Sequence, residues 1–275
     1  MQQRDSLFNT LLVATVLCVF CSLAVSGAAV ALRPRQEANE KLDQQKNILD
    51  ATGLAIGEYG VQASMLDMDQ ITELNGWISE KLVDLETGQY LEASAEDLDK
   101  YDMLEAASGS DTSVSIDNRT YNIGEPSRPK IMKVFFVEEP GSNRISQVVL
   151  PVFGKGLWGT LYGYLAVRSD LNTIQGLTFY QHKETPGLGG EVDNPSWKAQ
   201  WEGVKLFDEL GAPAAMVAKG PAPTGDQYAV DGLSGATITS RGVTNLLRYW
   251  ASDDAYGPYL DTLSNELASS TEGAN

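Results

Sequence analysis

The 275-residue chain is 43% hydrophobic and 21% charged, a composition that fits a folded protein rather than a disordered one. Its net charge of −17 argues against a nucleic-acid partner, because phosphate binding needs clustered Lys and Arg. The only cysteines, Cys18 and Cys21, lie in the N-terminal apolar stretch and the only histidine is His182, so the rest of the chain has no disulfide framework and no His/Cys set for zinc or an iron–sulfur cluster of its own; redox chemistry here would need an organic cofactor.

Residues 7–32 contain no charged side chain and are bounded by Arg4 and Asp5 on one side and Arg33 and Arg35 on the other. At about 1.5 Å per helical residue this stretch crosses a hydrocarbon core of ~30 Å. Ala29-Val30-Ala31 resembles a cleavage site, but the apolar run exceeds the ~7–15 residues of a signal peptide; a retained anchor is expected. Arg33, Arg35 and Lys41 after the span against Arg4 before it lean towards a cytoplasmic C-terminal domain. Cys18 and Cys21 form a C-x-x-C within the span, read either as small residues on a packed helix face or as half of an intersubunit metal site.

Beyond the anchor, Ala38, Leu42, Ile48 and Leu49 recur among charges at helical spacing, which predicts an amphipathic helix over 35–50. A second helix is expected over 70–83, capped by Asp69, with Ile71, Leu74, Ile78 and Leu82 as its stripe. The acidic stretch 86–111 reads as the least ordered part. Strands are expected at 112–116 and 120–123 around an Asp117-Asn118 turn, then at 131–137, 145–153, 157–167 and 173–180. A helix follows at 195–203, short strands at 215–218 and 228–230, and a helix over 242–250 with Val243, Leu246, Leu247 and Trp250 on one face; 269–275 should fray. Central strands with helices at the ends predict an α+β fold: one N-terminal transmembrane helix, then a mixed soluble domain with a central antiparallel sheet and flanking helices. The divisions expected are a short N-terminal segment 1–6, a span 7–32, a membrane-proximal α+β region 33–140, a ligand-binding domain 141–255 and a tail 256–275.

Three segments carry chemistry. Gly154-Lys-Gly-Leu-Trp-Gly159 spells G-x-G-x-x-G, but the Tyr-rich, β-branched run after it favours a strand where a dinucleotide site needs a helix. It is therefore a glycine turn, or a glycine loop bringing backbone close to another flat ligand, with Leu157 and Trp158 as apolar walls. Glu184-Thr-Pro-Gly-Leu-Gly-Gly190 is a second glycine-rich turn, tight at Pro186-Gly187. Asp231-Gly-Leu-Ser-Gly-Ala-Thr237, continued by Ile-Thr-Ser240, joins a short strand to a helix expected to start near Ser240. Small residues clear the space around the Thr237 hydroxyl, a helix N-terminus lies just downstream and Arg241 stands beside it, so an anion at Thr237 would be favoured. A plain Ser/Thr-rich helix cap fits the same residues.

The D-x-x-(S/T)-G-A-T pattern resembles the acceptor site of bacterial flavin transferases, in which the last Thr is joined to FMN through a phosphoester. The order G-K-G-L-W-G, E-T-P-G-L-G, S-G-A-T-I-T-S behind a single span resembles the C subunit of the sodium-translocating NADH:quinone oxidoreductase, with the G subunit of the Rnf complex a close relative. The resemblance covers about 146–250, and Lys46-Asn-Ile-Leu49 also fits the sodium-pump protein. It implies one covalent FMN per chain, on Thr237, delivered from FAD by a separate magnesium-dependent transferase. It implies Ser234 and Thr239 as phosphate donors around Gly235 and Ala236, and Asp231 in transferase recognition, local charge or turn capping. Leu157, Trp158 and Leu188, with Gly189 and Thr185, would meet the isoalloxazine; no catalytic residue and no metal site are expected. It further implies an electron-transfer subunit in the bacterial inner membrane, its domain periplasmic against the lean of the anchor charges, partnered by the other subunits of the complex. Two rival classes remain: a non-redox single-span sensor or assembly module of the same fold, and a hydrolase using Ser234 with His182, which lacks a nucleophile elbow.

Overall fold

The computed structural model describes residues 7–139, 141, 142 and 144–272; the expected 1–6 segment and the last three residues of the expected fraying tail lie outside the described residues. The chain divides into two units, Met1–Gln44 and Gln45–Asn275. Through the first runs helix α1 (Leu7–Thr52), which is apolar and long enough near the N-terminus to cross a membrane. The separate helices expected at 7–32 and 35–50 are one helix, with Pro34 inside it. Arg33 and Glu37, one turn apart, form an exposed ion pair at 2.9 Å.

In the second unit the last turns of α1 bury Ile48, Leu49, Ala51 and Thr52, and the helix stops at Gly53 with φ 70°. Short helices α2 (Leu54–Tyr59) and α3 (Met68–Asn75) follow. The expected 70–83 helix is thus only its first half. Asp67, not Asp69, is the cap, accepting from Gln70 N–H while the Gln70 side chain accepts from Asp67 N–H. Ile71 and Leu74 are buried on α3, but Ile78 and Leu82 belong to strand β1 (Ile78–Asp84). Their i, i+4 spacing matched a helical stripe by coincidence: the helix ends at Gly76, and β1 finds its partners in a strand about 50 residues later. The stretch 86–111 is also ordered, with β2 (Tyr90–Leu91), α4 (Ala95–Lys100) and α5 (Met103–Ser108). Ser94 and Asp102 cap these helices through side-chain oxygens, a signal hidden by the acidity of the segment.

The hairpin expected at 112–123 does not form. Strand β3 (Ser113–Ser115) pairs with β4 (Ser127–Pro129), and 117–124 is a loop in which Asp117 accepts from Arg119 N–H and the Thr120 hydroxyl. The main sheet continues with β5 (Ile131–Glu138), β6 (Ile145–Lys155), β7 (Thr160–Arg168) and β8 (Ile174–Gln181), close to the expected bounds except that β7 starts at Thr160 and leaves Leu157 and Trp158 in the connecting loop. Its order is β2-β1-β5-β6-β7-β8, antiparallel throughout, taking strands from both sides of residue 140.

After the sheet come α6 (Pro195–Lys198) with a 3-10 turn at Ala199–Trp201, the short parallel pair β9 (Met216–Val217) and β10 (Ala229–Val230), α7 (Thr237–Trp250) and α8 (Gly257–Glu272). The region expected as a tail therefore contributes a helix that buries Tyr259, Leu260 and Leu263. Val243, Leu246, Leu247 and Trp250 of α7 are all buried in the main core with Val152, Phe153 and Leu161 of the sheet. Strand β6 outruns its neighbour β5, whose pairing reaches only Val149. Beyond that point its carbonyls are met by side chains: Tyr256 Oη donates to Pro151 O at 2.8 Å and Trp250 Nε1 to Phe153 O at 2.7 Å. The Trp250 bond sets the last residue of α7, and the Tyr256 bond the connection after it, against the end of β6 that leads into the glycine loop.

The opposite sheet face carries Phe135, Val137, Val149, Tyr164 and Ala166 and is covered by Ile48 and Ala51. Thr178 Oγ1 donates to Asn47 O and Gln147 Nε2 to Thr52 O. The close approach needs Gly176, where a Cβ would stand 2.5 Å from the Ala51 carbonyl oxygen. Gly176→Val should lower stability by about 1–3 kcal/mol through overpacking, read as a lower denaturant midpoint for the full chain; an unchanged midpoint would mean that this helix end does not press on β8.

Candidate functional site

The three motif segments meet at one place. Leu157, Trp158, Glu184, Thr185, Leu188, Gly189, Gly235, Ala236 and Thr239 line a single shallow pocket. All but Glu184 are expected site residues; Asp231, Ser234 and Thr237 are not in its lining.

Each wall has a local cause. The first glycine segment is the β6–β7 hairpin loop, closed by Gly156 N–H donating to Gly159 O at 2.8 Å, with Lys155 paired to Thr160 on either side. A strand follows it, as the Tyr-rich sequence required, so no helix N-terminus waits there for a pyrophosphate. The second segment turns at Pro186-Gly187, Leu188 N–H and Gly190 N–H both donating to Thr185 O. The third turns at Ser234-Gly235: Ala236 N–H donates to Leu233 O and Gly235 has φ 70°, the left-handed value that a type II turn asks of its third residue.

Helix α7 starts at Thr237, three residues earlier than expected, because the hydroxyls read as caps are used otherwise. Ser240 Oγ accepts from Leu233 N–H at 3.1 Å and fixes the turn. Thr239 is fully buried and donates to Glu184 Oε2 at 2.5 Å. That spends its hydroxyl hydrogen, which removes Thr239 as a phosphate donor. Thr237 itself is exposed at the first helical position, with exposed Ser234, Gly235 and Ile238 around it. Asp231 Oδ1 accepts from Ala222 N–H at 2.7 Å, while its backbone bonds Gln200 and Trp197.

Glu184 is the residue that sequence reasoning passed over. It is 5% exposed, and its Oε1 accepts from the backbone N–H groups of Leu157 at 3.0 Å and Trp158 at 2.8 Å, its Oε2 from Thr239. One carboxylate thereby joins the hairpin loop, the second turn and the first turn of α7. Its neighbours must be glycines: a Cβ at Gly156 would stand 2.6 Å from Oε1, and one at Gly189 2.5 Å from Oε2 and 2.6 Å from Thr239 Oγ1. The signal was present, since an acid placed between glycine turns at the head of a motif needs donors, but only the fold shows which donors come.

His182 supports the same segment. Its Nδ1 accepts from Glu184 N–H at 3.1 Å and its Nε2 faces Asp193 at 2.7 Å, so in the neutral ring the hydrogen lies on Nε2. The Asp193 hydrogen bond raises the His182 pKa and partial burial pulls it down; a proton on Nδ1 would break the bond from Glu184 N–H. With both nitrogens engaged, His182 is not a base for Ser234, and the hydrolase reading falls.

Around the pocket, large apolar side chains stand in solvent: Leu157 42%, Trp158 66%, Leu188 44% and, beside Thr237, Ile238 52% exposed. Exposed apolar walls with a helix N-terminus at one end suit a flat apolar ligand carrying an anionic arm. Truncating the tie, Glu184→Ala, should cost about 2–4 kcal/mol by leaving two part-buried N–H groups and the buried Thr239 hydroxyl without their acceptor; equal stability of variant and wild type in denaturant titration would remove Glu184 from this role.

Residues 156–252 match the FMN-binding domain family. Over 94% of both chains, this protein is 39% identical to the C subunit of the Na(+)-translocating NADH-quinone reductase of Yersinia pestis. The corresponding protein of Pseudomonas aeruginosa is 42% identical over 96% of this chain and 98% of its own. Among solved structures, the crystal structure of Shewanella oneidensis NqrC covers 81% of this chain and 98% of that chain at 31% identity, with a TM-score of 0.70. The crystal structure of the Parabacteroides distasonis counterpart gives 0.60 at 27% identity, over 85% and 97%.

Proposed function

This chain belongs to the NqrC family, the C subunits of the Na(+)-translocating NADH-quinone reductase, and from that premise we propose that its FMN is held as a phosphoester of Thr237, with the isoalloxazine against Leu157, Trp158 and Leu188. The chain is an FMN-bearing electron-transfer subunit of a multi-subunit membrane oxidoreductase that couples NADH oxidation and quinone reduction to sodium translocation.

The residues present fit FMN. A hydroxyl exposed at the first position of a 14-residue helix, Thr237, carries the reading. There the unpaired N–H groups of the first turn and the partial positive charge of the helix end favour a phosphate. The turn before it is stripped of bulk at Gly235 and Ala236, and exposed Ser234 is the remaining hydroxyl for the phosphate oxygens. Leu157, Trp158 and Leu188 offer apolar faces to the ring, and exposed Thr185 stands at the rim for its polar edge. Bound FMN supplies reversible one- and two-electron chemistry; the side chains bind and orient it.

Attachment needs a flavin transferase as a transient partner. The Thr237 oxygen bonds the FMN phosphorus of FAD, the bond to AMP breaks, AMP leaves with the bridging oxygen, and the hydroxyl proton is lost. Exposure of 234–238 except Ala236 supports access by a second protein. Thr237→Ala should abolish flavin fluorescence in the denatured, washed chain, while Thr237→Ser, which keeps the hydroxyl, retains it; fluorescence surviving in the alanine variant would move the attachment elsewhere.

The wider arrangement is an inner-membrane protein, 1–6 cytoplasmic, 7–32 spanning and 33–275 periplasmic, with the flavin-binding part at 141–255. Family membership outweighs the few basic residues beside the span, since neighbouring subunits readily override such a bias. Alkaline phosphatase fused after residue 275 should be active in intact cells; an inactive fusion of equal abundance would reverse the orientation.

A further inference from the structure

Resting on the Thr237 reading, we propose that Glu184 sets the reduction potential of the bound flavin by placing a negative charge without an ion-pair partner in the floor of its pocket. Its two oxygens receive three donors and no acceptor, the pattern of an ionised carboxylate. All three donors are neutral: two backbone N–H groups and one hydroxyl. Among the described residues no Lys, Arg or His pairs with this carboxylate. His182, two residues before Glu184, accepts the Glu184 backbone N–H, directs its other nitrogen to Asp193 and feels the Glu184 charge only through space; Lys183 between them is exposed and, among the described residues, forms no ion pair with this carboxylate. The charge is 5% exposed and therefore weakly screened.

Reduction of a flavin ring adds two electrons and takes one or two protons from solvent, so the ring gains negative charge whenever protons lag behind electrons. A fixed carboxylate beside the ring opposes that gain and lowers the potential. The same carboxylate also shapes the pocket, and the two roles separate by the sign of their effects. Removing the charge while keeping the shape should raise the potential; removing a neutral donor while keeping the charge should not.

The test is spectroelectrochemical titration of the full-length, flavin-loaded chain in detergent, poised with mediators, for wild type, Glu184→Gln, Glu184→Asp and Thr239→Val. In the glutamine variant the amide oxygen still accepts from Leu157 and Trp158, and its NH2 can donate to the Thr239 oxygen. We expect its midpoint to rise, Glu184→Asp to remain closer to wild type, and Thr239→Val not to rise. A wild-type midpoint in Glu184→Gln, or a rise shared by Glu184→Gln and Thr239→Val, overturns the proposal, the second by pointing to a loosened pocket. Should Glu184→Gln fail to fold, Thr239→Val carries the test: a midpoint at or below the wild-type value supports the proposal, and a rise overturns it. Flavin that washes out of denatured wild-type protein would instead overturn the Thr237 attachment, and this inference with it; covalent flavin with equal midpoints overturns this inference alone.

Discussion

One buried carboxylate organises the site. Glu184 lies 26 and 27 residues from the N–H groups it accepts on the hairpin loop and 55 from the Thr239 hydroxyl. Three turns that have little reason to approach one another are thereby gathered around a common acceptor. The glycines at 156 and 189 follow from it, because a side chain at either position would occupy the space of the carboxylate oxygens. Such a tie is favourable only when complete; a missing donor would leave the buried carboxylate under-satisfied, and a missing carboxylate would strand its three donors.

The sheet and α7 deliver the parts to that tie. Strand β6 runs past the end of β5, and Trp250 and Tyr256 complete its backbone, so the far end of α7 is fixed to the strand that feeds the glycine loop. The near end of α7 then presents Thr239 inward and Thr237 outward. Inward, a hydroxyl locks the pocket; outward, a hydroxyl two residues earlier faces solvent. The pocket itself is shallow and its apolar walls are half exposed. Sites that hold small molecules by burial alone usually enclose about 70–90% of the ligand surface, whereas the apolar walls here stand half in solvent. A covalent phosphoester removes that requirement, and an exposed flavin is what exchange of electrons with a neighbouring subunit needs.

The larger features were legible in the sequence: a long apolar N-terminal helix, four long strands of the central sheet, the buried stripe of α7, and the three motifs that the fold gathers. Motif order and spacing identified the family where each motif alone did not, and similarity over nearly the full chain selects the sodium-pump protein over its Rnf relative. Local periodicity misled where tertiary pairing decided. Ile78 and Leu82 continued the stripe of Ile71 and Leu74, yet their partners lie on β5. Thr120 and Ile123 looked like strand residues, but Asp117 commands the loop. In 86–111, acidity masked two capped helices. At the site, the family resemblance implies Thr239 as a phosphate donor, yet its partner is Glu184, distant in sequence and visible there only as the first letter of a glycine-rich turn.

The central claim, that the exposed Thr237 hydroxyl is the attachment point, is tested most directly by peptide-level mass analysis of the chain purified from its native membrane. The account predicts that the peptide containing Thr237 carries the added mass of one phosphoester-linked FMN, with fragmentation assigning it to that side chain. An unmodified Thr237 peptide from yellow protein, or the same mass on Ser234, Thr239 or any other residue, would contradict it.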